Sequence, residues 1–334
     1  MRTVVITEPY RVAVEQAETP EPEPGQILVR TTVSGISAGT EMNLYRGANP
    51  DLVRRRWGER FVYPFVPGYQ AVGTVMHHSP DVTGFEIGDR VFTDGSHSEF
   101  TVADAHRCFR LPDGLSDEQA SLLSVARVAL HGVRRGRIEY GDSVAIVGMG
   151  LMGQLAIQHA RLAGAATTIA VDIDPWRLEI ARELGADHIV DPSAGDPAEQ
   201  IGRYTEGGAD VVLETAGVAS AVPVALALGR YGARVVIVGW HLQPISIDLA
   251  EDLLYKELDL LPSRAGGLDD EAPPYILKWN TRRNTQLLID LLLKGDLRVD
   301  RLLTHTIPVE DIARVYDMIH TRSEQSLHVA LDWR

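Results

Sequence analysis

A single cysteine, Cys108, occurs among 334 residues. An intrachain disulfide is therefore impossible, and so is a structural zinc lobe built from clustered thiolates. Basic residues are also short: 32 Lys and Arg stand against 46 Asp and Glu, a formal net charge of −14. That balance opposes non-specific contact with nucleic acid or an anionic membrane, so neither is expected as a partner. No apolar run reaches the roughly 20 residues of a membrane span. Thr7, Glu8 and Arg11 interrupt the N-terminal stretch before a signal-type apolar core develops, and the expected location is the cytoplasm. With 45% hydrophobic and 23% charged residues the composition is that of a globular protein. The length favours two domains, or one domain inserted into another.

The first 120 or so residues carry short Val/Ile/Thr runs broken by Gly and Pro, at 27–33, 71–75, 89–92 and 99–103, which predict a partly antiparallel β domain. From Gly141 the texture changes to apolar strands alternating with amphipathic segments, the pattern of a parallel sheet built from βαβ units. Six strands are expected, at 143–147, 167–171, 188–190, 210–214, 234–238 and 257–261, the number of a dinucleotide-binding sheet. Crossover helices are expected at 152–162 and from Pro175 to Leu184, the second stopping at Gly185. After Gly266 and Gly267 the alternation ends, and 285–293 and 309–319 read as helices.

The strongest local signal is SVAIVGMGLMG, in which Gly148, Gly150 and Gly153 form a G-x-G-x-x-G between a strand and a helix. The loop Gly148, Met149, Gly150, Leu151, Met152 and Gly153 is read as a pyrophosphate cradle at a helix N-terminus. Asp172 ends the second strand, where a carboxylate accepts hydrogen bonds from an adenosine ribose diol and repels a 2′-phosphate. Asp174 adds a second negative charge, and the expected cofactor is NAD. Arg177 either reaches the same ribose or is an exposed residue of the next helix.

These motifs, with GQILVRTTVSGISAGTEMNLYRG, VPGYQAVGTV, GDRVF, GSHSEFTVADAHRCFRLPDGLS, VDIDPWRLEIARELGAD, DVVLETAG and LLTHTIPVEDIARVYDMI, resemble the medium-chain dehydrogenase/reductase superfamily along the whole chain. The resemblance implies an α/β protein. Its parts would be a GroES-like β-rich catalytic domain (1–122), a Rossmann doubly wound parallel-sheet cofactor domain (123–265) and a return to the catalytic domain (266–334), with the active site in the cleft between them. Members with catalytic zinc bind it through residues at the positions of Ser37, Tyr69, Gln70 and the neighbourhood of Ser124. Hydroxyls and a neutral amide are poor zinc ligands, so no metal site is expected. Neither His77 nor His78 shows ligand spacing, and both are read as surface or turn residues.

A zinc-free dehydrogenase needs a protein acid/base. Tyr69 is the first candidate for that role, or else it fills the volume of the lost site. Aligned on the family, with Gly39 as an insertion, Thr40 is a relay hydroxyl and Asn43 stands where some members have a relay histidine. Ser37 either hydrogen-bonds substrate or satisfies a turn, and Gln70 supports Tyr69 by removing a charge. Thr215, Ala216, Gly217, Gly239, Ser263 and Arg264 are placed at the carboxyl edge of the sheet for contact with the nicotinamide end. Arg127 and His131 are secondary candidates for substrate or phosphate contact. The Arg54, Arg55 and Arg56 run either reads an anionic substrate group or is a solvated face.

The leading expectation is a zinc-independent, NAD-linked dehydrogenase interconverting a secondary alcohol and a ketone on a small polyol, sugar, cyclitol or secondary-metabolite substrate. The alternatives are a zinc-free enoyl or quinone reductase and a non-catalytic NAD-binding protein. A homodimer is expected, for which the apolar stretch 234–238 is read as an available edge.

Overall fold

The computed structural model describes residues 1–48, 62–264 and 279–334. The Arg54, Arg55 and Arg56 run and the Gly266–Gly267 turn lie outside the described residues. The chain forms two compact units, one from Met1–Ser124 with Thr285–Arg334 and the other from Val125–Asn284.

In the first unit, β1 (Arg2–Glu8) and β2 (Arg11–Gln16) form an antiparallel pair. The long strand β3 (Gln26–Ile36) leads into the short helix α1 (Ala38–Tyr45). Strands β4 (Ala71–His78), β5 (Arg90–Thr93), β6 (Phe100–Asp104) and β7 (Phe109–Arg110) follow, then helix α2 (Asp117–Ala120) and helix α3 (Leu123–Arg135), which leaves the unit. The terminal segment adds β14 (Leu303–Pro308), a 3₁₀ turn (Val309–Asp311), helix α9 (Ile312–Thr321) and β15 (His328–Asp332). The sheet order is β14-β15-β3-β4-β5-β7, with β6 also on β3. Eleven residues let β3 serve three partners: Gln26–Arg30 pair with β6, Val33–Ile36 with β15, and β4 runs along it with two register shifts. Such changes of partner curl a sheet toward closure. Val4, Ile6, Ile36, Leu44, Val315 and Leu331 form the core beneath it.

The second unit carries the expected parallel sheet. Its strands are β8 (Ser143–Val147), β9 (Thr167–Val171), β10 (His188–Val190), β11 (Ala209–Glu214), β12 (Gly229–Ile237) and β13 (Asp259–Pro262). They lie in the order β10-β9-β8-β11-β12-β13. Helices α4 (Leu151–Ala163), α5 (Pro175–Glu183), α6 (Pro197–Ile201) and α7 (Ala221–Leu228) connect them. The order reverses at β8, so the loops after β8 and β11 part and leave a crevice outside the strand ends. Local chemistry sets the helix ends: Asp174 caps α5 through the Trp176 amide ahead of Pro175, and Gly164 closes α4 in the left-handed region at φ 111°.

Two expectations are corrected. Stretch 234–238 is not an edge, because β12 hydrogen-bonds to β11 on one side and β13 on the other; among the described residues β10 and β13 end the sheet. The expected helix at 309–319 starts as the 3₁₀ turn and becomes α9 only from Ile312. Helix α8 (Thr281–Lys294) extends the expected segment at both ends. Among the described residues no helix is long and apolar enough to cross a membrane.

Candidate active site

The first group of site residues sits where β3 meets α1. Ser37 is buried and precedes α1, and its amide donates to Glu41 Oε1 at 2.7 Å. The Tyr69 phenol donates to Ser37 Oγ in a short hydrogen bond. Ser37 Oγ therefore accepts from Tyr69 and retains its own proton for another acceptor. Gln70 is fully buried, with Nε2 donating to the Gly35 carbonyl at 3.1 Å and Oε1 without a partner. The Ser124 hydroxyl lies 3.0 Å from Asp94 Oδ1 and 3.3 Å from the Tyr69 carbonyl oxygen.

Beneath this pair lies a network that the sequence reading missed. Glu41, 1% exposed, accepts at Oε2 from Tyr316 Oη at 2.6 Å and from His97 Nε2 at 3.0 Å. Trp333 Nε1 donates to Ser34 Oγ at 2.9 Å, which leaves the Ser34 proton for His97 Nδ1 at 2.8 Å and makes Nε2 the protonated nitrogen facing Glu41. Burial, and then the Glu41 charge, hold the Tyr316 phenol well above its ordinary range, so it remains a donor. Every member of the network has a partner. The order in the chain, Ser34, Glu41, His97, Tyr316 and Trp333, hides it.

Thr40 is half-buried in the first turn of α1, next to Glu41 in the chain. Asn43 donates to the Gly39 carbonyl at 2.8 Å, which holds its own helix and takes up one of the two N–H donors of its amide. Arg127 and His131 are half-buried on α3; burial, then Arg135 and Arg134, lower the His131 pKa. His77 and His78 end β4, with His77 exposed. Cys108 is buried elsewhere, and burial drives its thiol up to about 12.

The second group lies at the carboxyl edge of the parallel sheet. Gly148 follows β8 at φ +94°, and a Cβ there would stand 2.7 Å from Ala216. At Gly153 a Cβ would lie 1.9 Å from the Gly148 carbonyl oxygen, so only glycine lets α4 approach the strand end. Gly150 caps α4 without a side-chain hydrogen bond, leaving the first-turn amides of Leu151, Met152 and Gly153 toward any anion at this end. Met149 is buried, and its amide donates to Asp172 Oδ2 at 2.5 Å. Asp172 Oδ1 accepts from the Asp174 amide at 2.9 Å, so this carboxylate braces the loop while each oxygen keeps a lone pair for a diol.

Arg177 is not a solvent-facing residue. Its side chain is 27% exposed, Nε lies 3.5 Å from Asp174 Oδ2, and Nη1 is the nearest atom to a Cβ built on Gly150, at 3.9 Å. Thr215 Oγ1 donates to the Gly148 carbonyl at 2.6 Å, tying the β11 end to the loop, and Gly217 and Gly239 form the adjacent turns. Ser263, just past β13, has a buried hydroxyl without a partner, and Arg264 beside it is exposed.

This edge fits a nicotinamide dinucleotide: the glycines leave space that a Cβ would fill, the buried Ser263 hydroxyl has no hydrogen-bond partner, and Arg177 Nε has only the ion pair with Asp174. The other site does not fit zinc. Ser37, Tyr69, Gln70 and Ser124 offer neither thiolate, imidazole nor carboxylate, and among the described residues no group of three or more His, Cys, Asp or Glu could hold a metal ion.

Comparison with known proteins agrees with this architecture. Residues 23–113 match the alcohol dehydrogenase GroES-like domain family, and residues 152–280 match the family described as zinc-binding dehydrogenase. D-guloside 3-dehydrogenase of Escherichia coli is 28% identical, covering 99% of each chain. Sorbitol dehydrogenase of Bacillus subtilis is 28% identical over 78% of this chain and 81% of its own. A Sinorhizobium meliloti protein solved bound to NADP superposes with a TM-score of 0.81 at 26% identity, covering 99% of this chain and 98% of its own. With both domain families matched in order along one chain, this protein belongs to the medium-chain dehydrogenase/reductase superfamily, as an oxidoreductase of the alcohol dehydrogenase type.

Proposed function

We propose that the protein is an NAD-linked dehydrogenase that interconverts a secondary alcohol of a polyol or sugar-type substrate and its ketone, without catalytic zinc. The observation that carries this reading is the Tyr69–Ser37 hydrogen bond, formed at two positions where the family resemblance would put the ligands of a catalytic zinc. The substrate class is supported by the guloside and sorbitol dehydrogenases to which the chain is similar. The choice of NAD is supported by Asp172 and Asp174, whose negative charges disfavour a 2′-phosphate. Arg177 beside Gly150 opposes that preference, and the two carboxylates outweigh it.

The bound nicotinamide would supply the hydride acceptor or donor. The residues of this chain manage the proton. As the alcohol is oxidised, its proton passes to Tyr69 Oη while the phenol releases its own to Ser37 Oγ and the serine hydroxyl gives its proton to water, so that one proton is released for each alcohol oxidised. Glu41 holds the Ser37 amide, which fixes the serine at the N-terminus of α1 and so keeps the acceptor aligned. Gln70, a neutral amide, adds no charge that would hinder ionisation of the phenol. At the other edge, the amides of Leu151, Met152 and Gly153 would hold the pyrophosphate and Asp172 the adenosine ribose.

A panel of secondary polyols and sugar glycosides with NAD and with NADP tests this reading. The expected result is stereospecific oxidation with a kcat/KM favouring NAD. Rapid enone reduction with NADPH and no alcohol oxidation would replace it with the reductase reading. The outer side of β13, which pairs with no strand among the described residues, is the place proposed for pairing with a second copy in a homodimer.

A further inference from the structure

Beyond the residues named so far, the carboxyl edge holds a buried pair with an unused atom. Glu214, fully buried at the end of β11, ties two loops together. Its backbone carbonyl accepts from the Val238 and Gly239 amides at 2.8 and 2.9 Å, and its Oε1 accepts from the Gly217 amide at 2.8 Å. Its Oε2 lies so near Gly239 that a Cβ there would be 2.6 Å away. That same oxygen accepts from His241 Nε2 at 2.7 Å. Because a carboxylate only accepts, Nε2 carries the proton and Nδ1 presents a lone pair. Nδ1 is buried and has no partner, on a side chain that is 10% exposed.

Sheet order says which part of a ligand would lie there. A dinucleotide bound across the crevice has its adenosine ribose at β9, through Asp172, and its pyrophosphate at β8. Continuing in the same direction, β11 and β12 receive the other half. The buried Glu214 charge beside His241 disfavours a second anionic group and favours a neutral donor.

We propose that His241, held by Glu214, is a binding residue for the nicotinamide riboside half of the cofactor, with Nδ1 accepting a hydrogen bond from a ribose hydroxyl or from the carboxamide N–H. This rests on the dinucleotide reading above. An unpaired buried nitrogen is unfavourable in the free protein, and a ligand O–H or N–H at that place removes the deficit.

The test is His241→Gln. Glutamine carries an N–H donor at the reach of Nε2, keeping Glu214 partnered, and offers no acceptor at the Nδ1 position. Fluorescence titration with NADH should give a Kd raised about tenfold, the worth of one hydrogen bond. Affinity for adenosine monophosphate should be unchanged, and so should the thermal unfolding midpoint. ADP-ribose separates the two donors: it weakens with NADH if the ribose is the partner, and stays as in the wild type if the carboxamide is. An unchanged NADH affinity in a folded variant, or equal weakening of adenosine monophosphate, overturns the proposal while leaving the dinucleotide reading in place. A wild-type chain that binds neither NADH nor NADPH overturns both.

Discussion

The polar groups under Tyr69 and those at the carboxyl edge of the parallel sheet are buried alike and differ in one respect. Glu41, His97, Tyr316, Ser34 and Trp333 satisfy one another, so that network is closed. At the sheet edge Arg177 Nε, His241 Nδ1 and Ser263 Oγ have no hydrogen-bond partner. A closed network fixes shape, here that of the segment presenting Ser37. An open one at the crevice leaves atoms that a bound ligand can complete. The difference separates residues that hold a site from residues that touch a ligand, although both look like polar residues in apolar surroundings.

Unpaired buried atoms also occur away from the edge, where their cost shows in stability. His159 on α4 and His328 on β15 each leave one ring nitrogen unpaired, and burial lowers both imidazoles to about 4 from 6.5. Both values lie below those of the unfolded chain, so the neutral rings give their full stability above about pH 6.5. That contribution is lost as the pH falls from there through 4, where the unfolded chain binds protons that the fold refuses. The expected loss is on the order of 3 kcal/mol per ring. Urea unfolding at pH 7.5 and 4.5 measures it, and His328→Gln should lessen the acid loss by the share of that one ring. An unchanged acid slope in that variant would take His328 out of the account.

Breaking the closed network comes next in size. His97→Leu leaves Glu41 with one donor fewer and Ser34 without its acceptor, and should cost about 3 kcal/mol in urea unfolding. A loss of a few tenths would mean that the network is already open to water. Tyr69→Phe tests the group that the network presents. It should lower kcat about a hundredfold and abolish the pH dependence due to the phenol, with little change in NADH affinity. An unchanged kcat and pH profile would leave Tyr69 a space-filling residue.

The two regions were unequally legible from sequence. The parallel sheet announces itself because its strands are apolar on both faces, punctuated by Gly and by caps such as Asp174 before Pro175. A run like 234–238 has the same look in the middle of a sheet as at an edge, and its continuous apolar character is in fact what a central strand needs. Strands β1 and β2 escaped notice because the hairpin turn TEPYR lacks glycine and Tyr10 takes the positive φ of 63° itself. The closed network was illegible for a different reason: Glu41 and Tyr316 are 275 positions apart, and no periodicity reports a contact of that range. His97, a lone histidine in GSHSEF, and Glu41, an acid directly before the apolar Met42 of α1, were the available signals. His241 was as obscure, since only the fold brings it to Glu214.

The central claim is that proton exchange at Tyr69 and Ser37 replaces a metal. Its most direct test is alcohol oxidation by chelator-treated, dialysed protein whose zinc content is measured on the same sample. The account predicts full turnover with zinc far below one ion per chain. Activity that disappears with the metal and returns on adding zinc would contradict it.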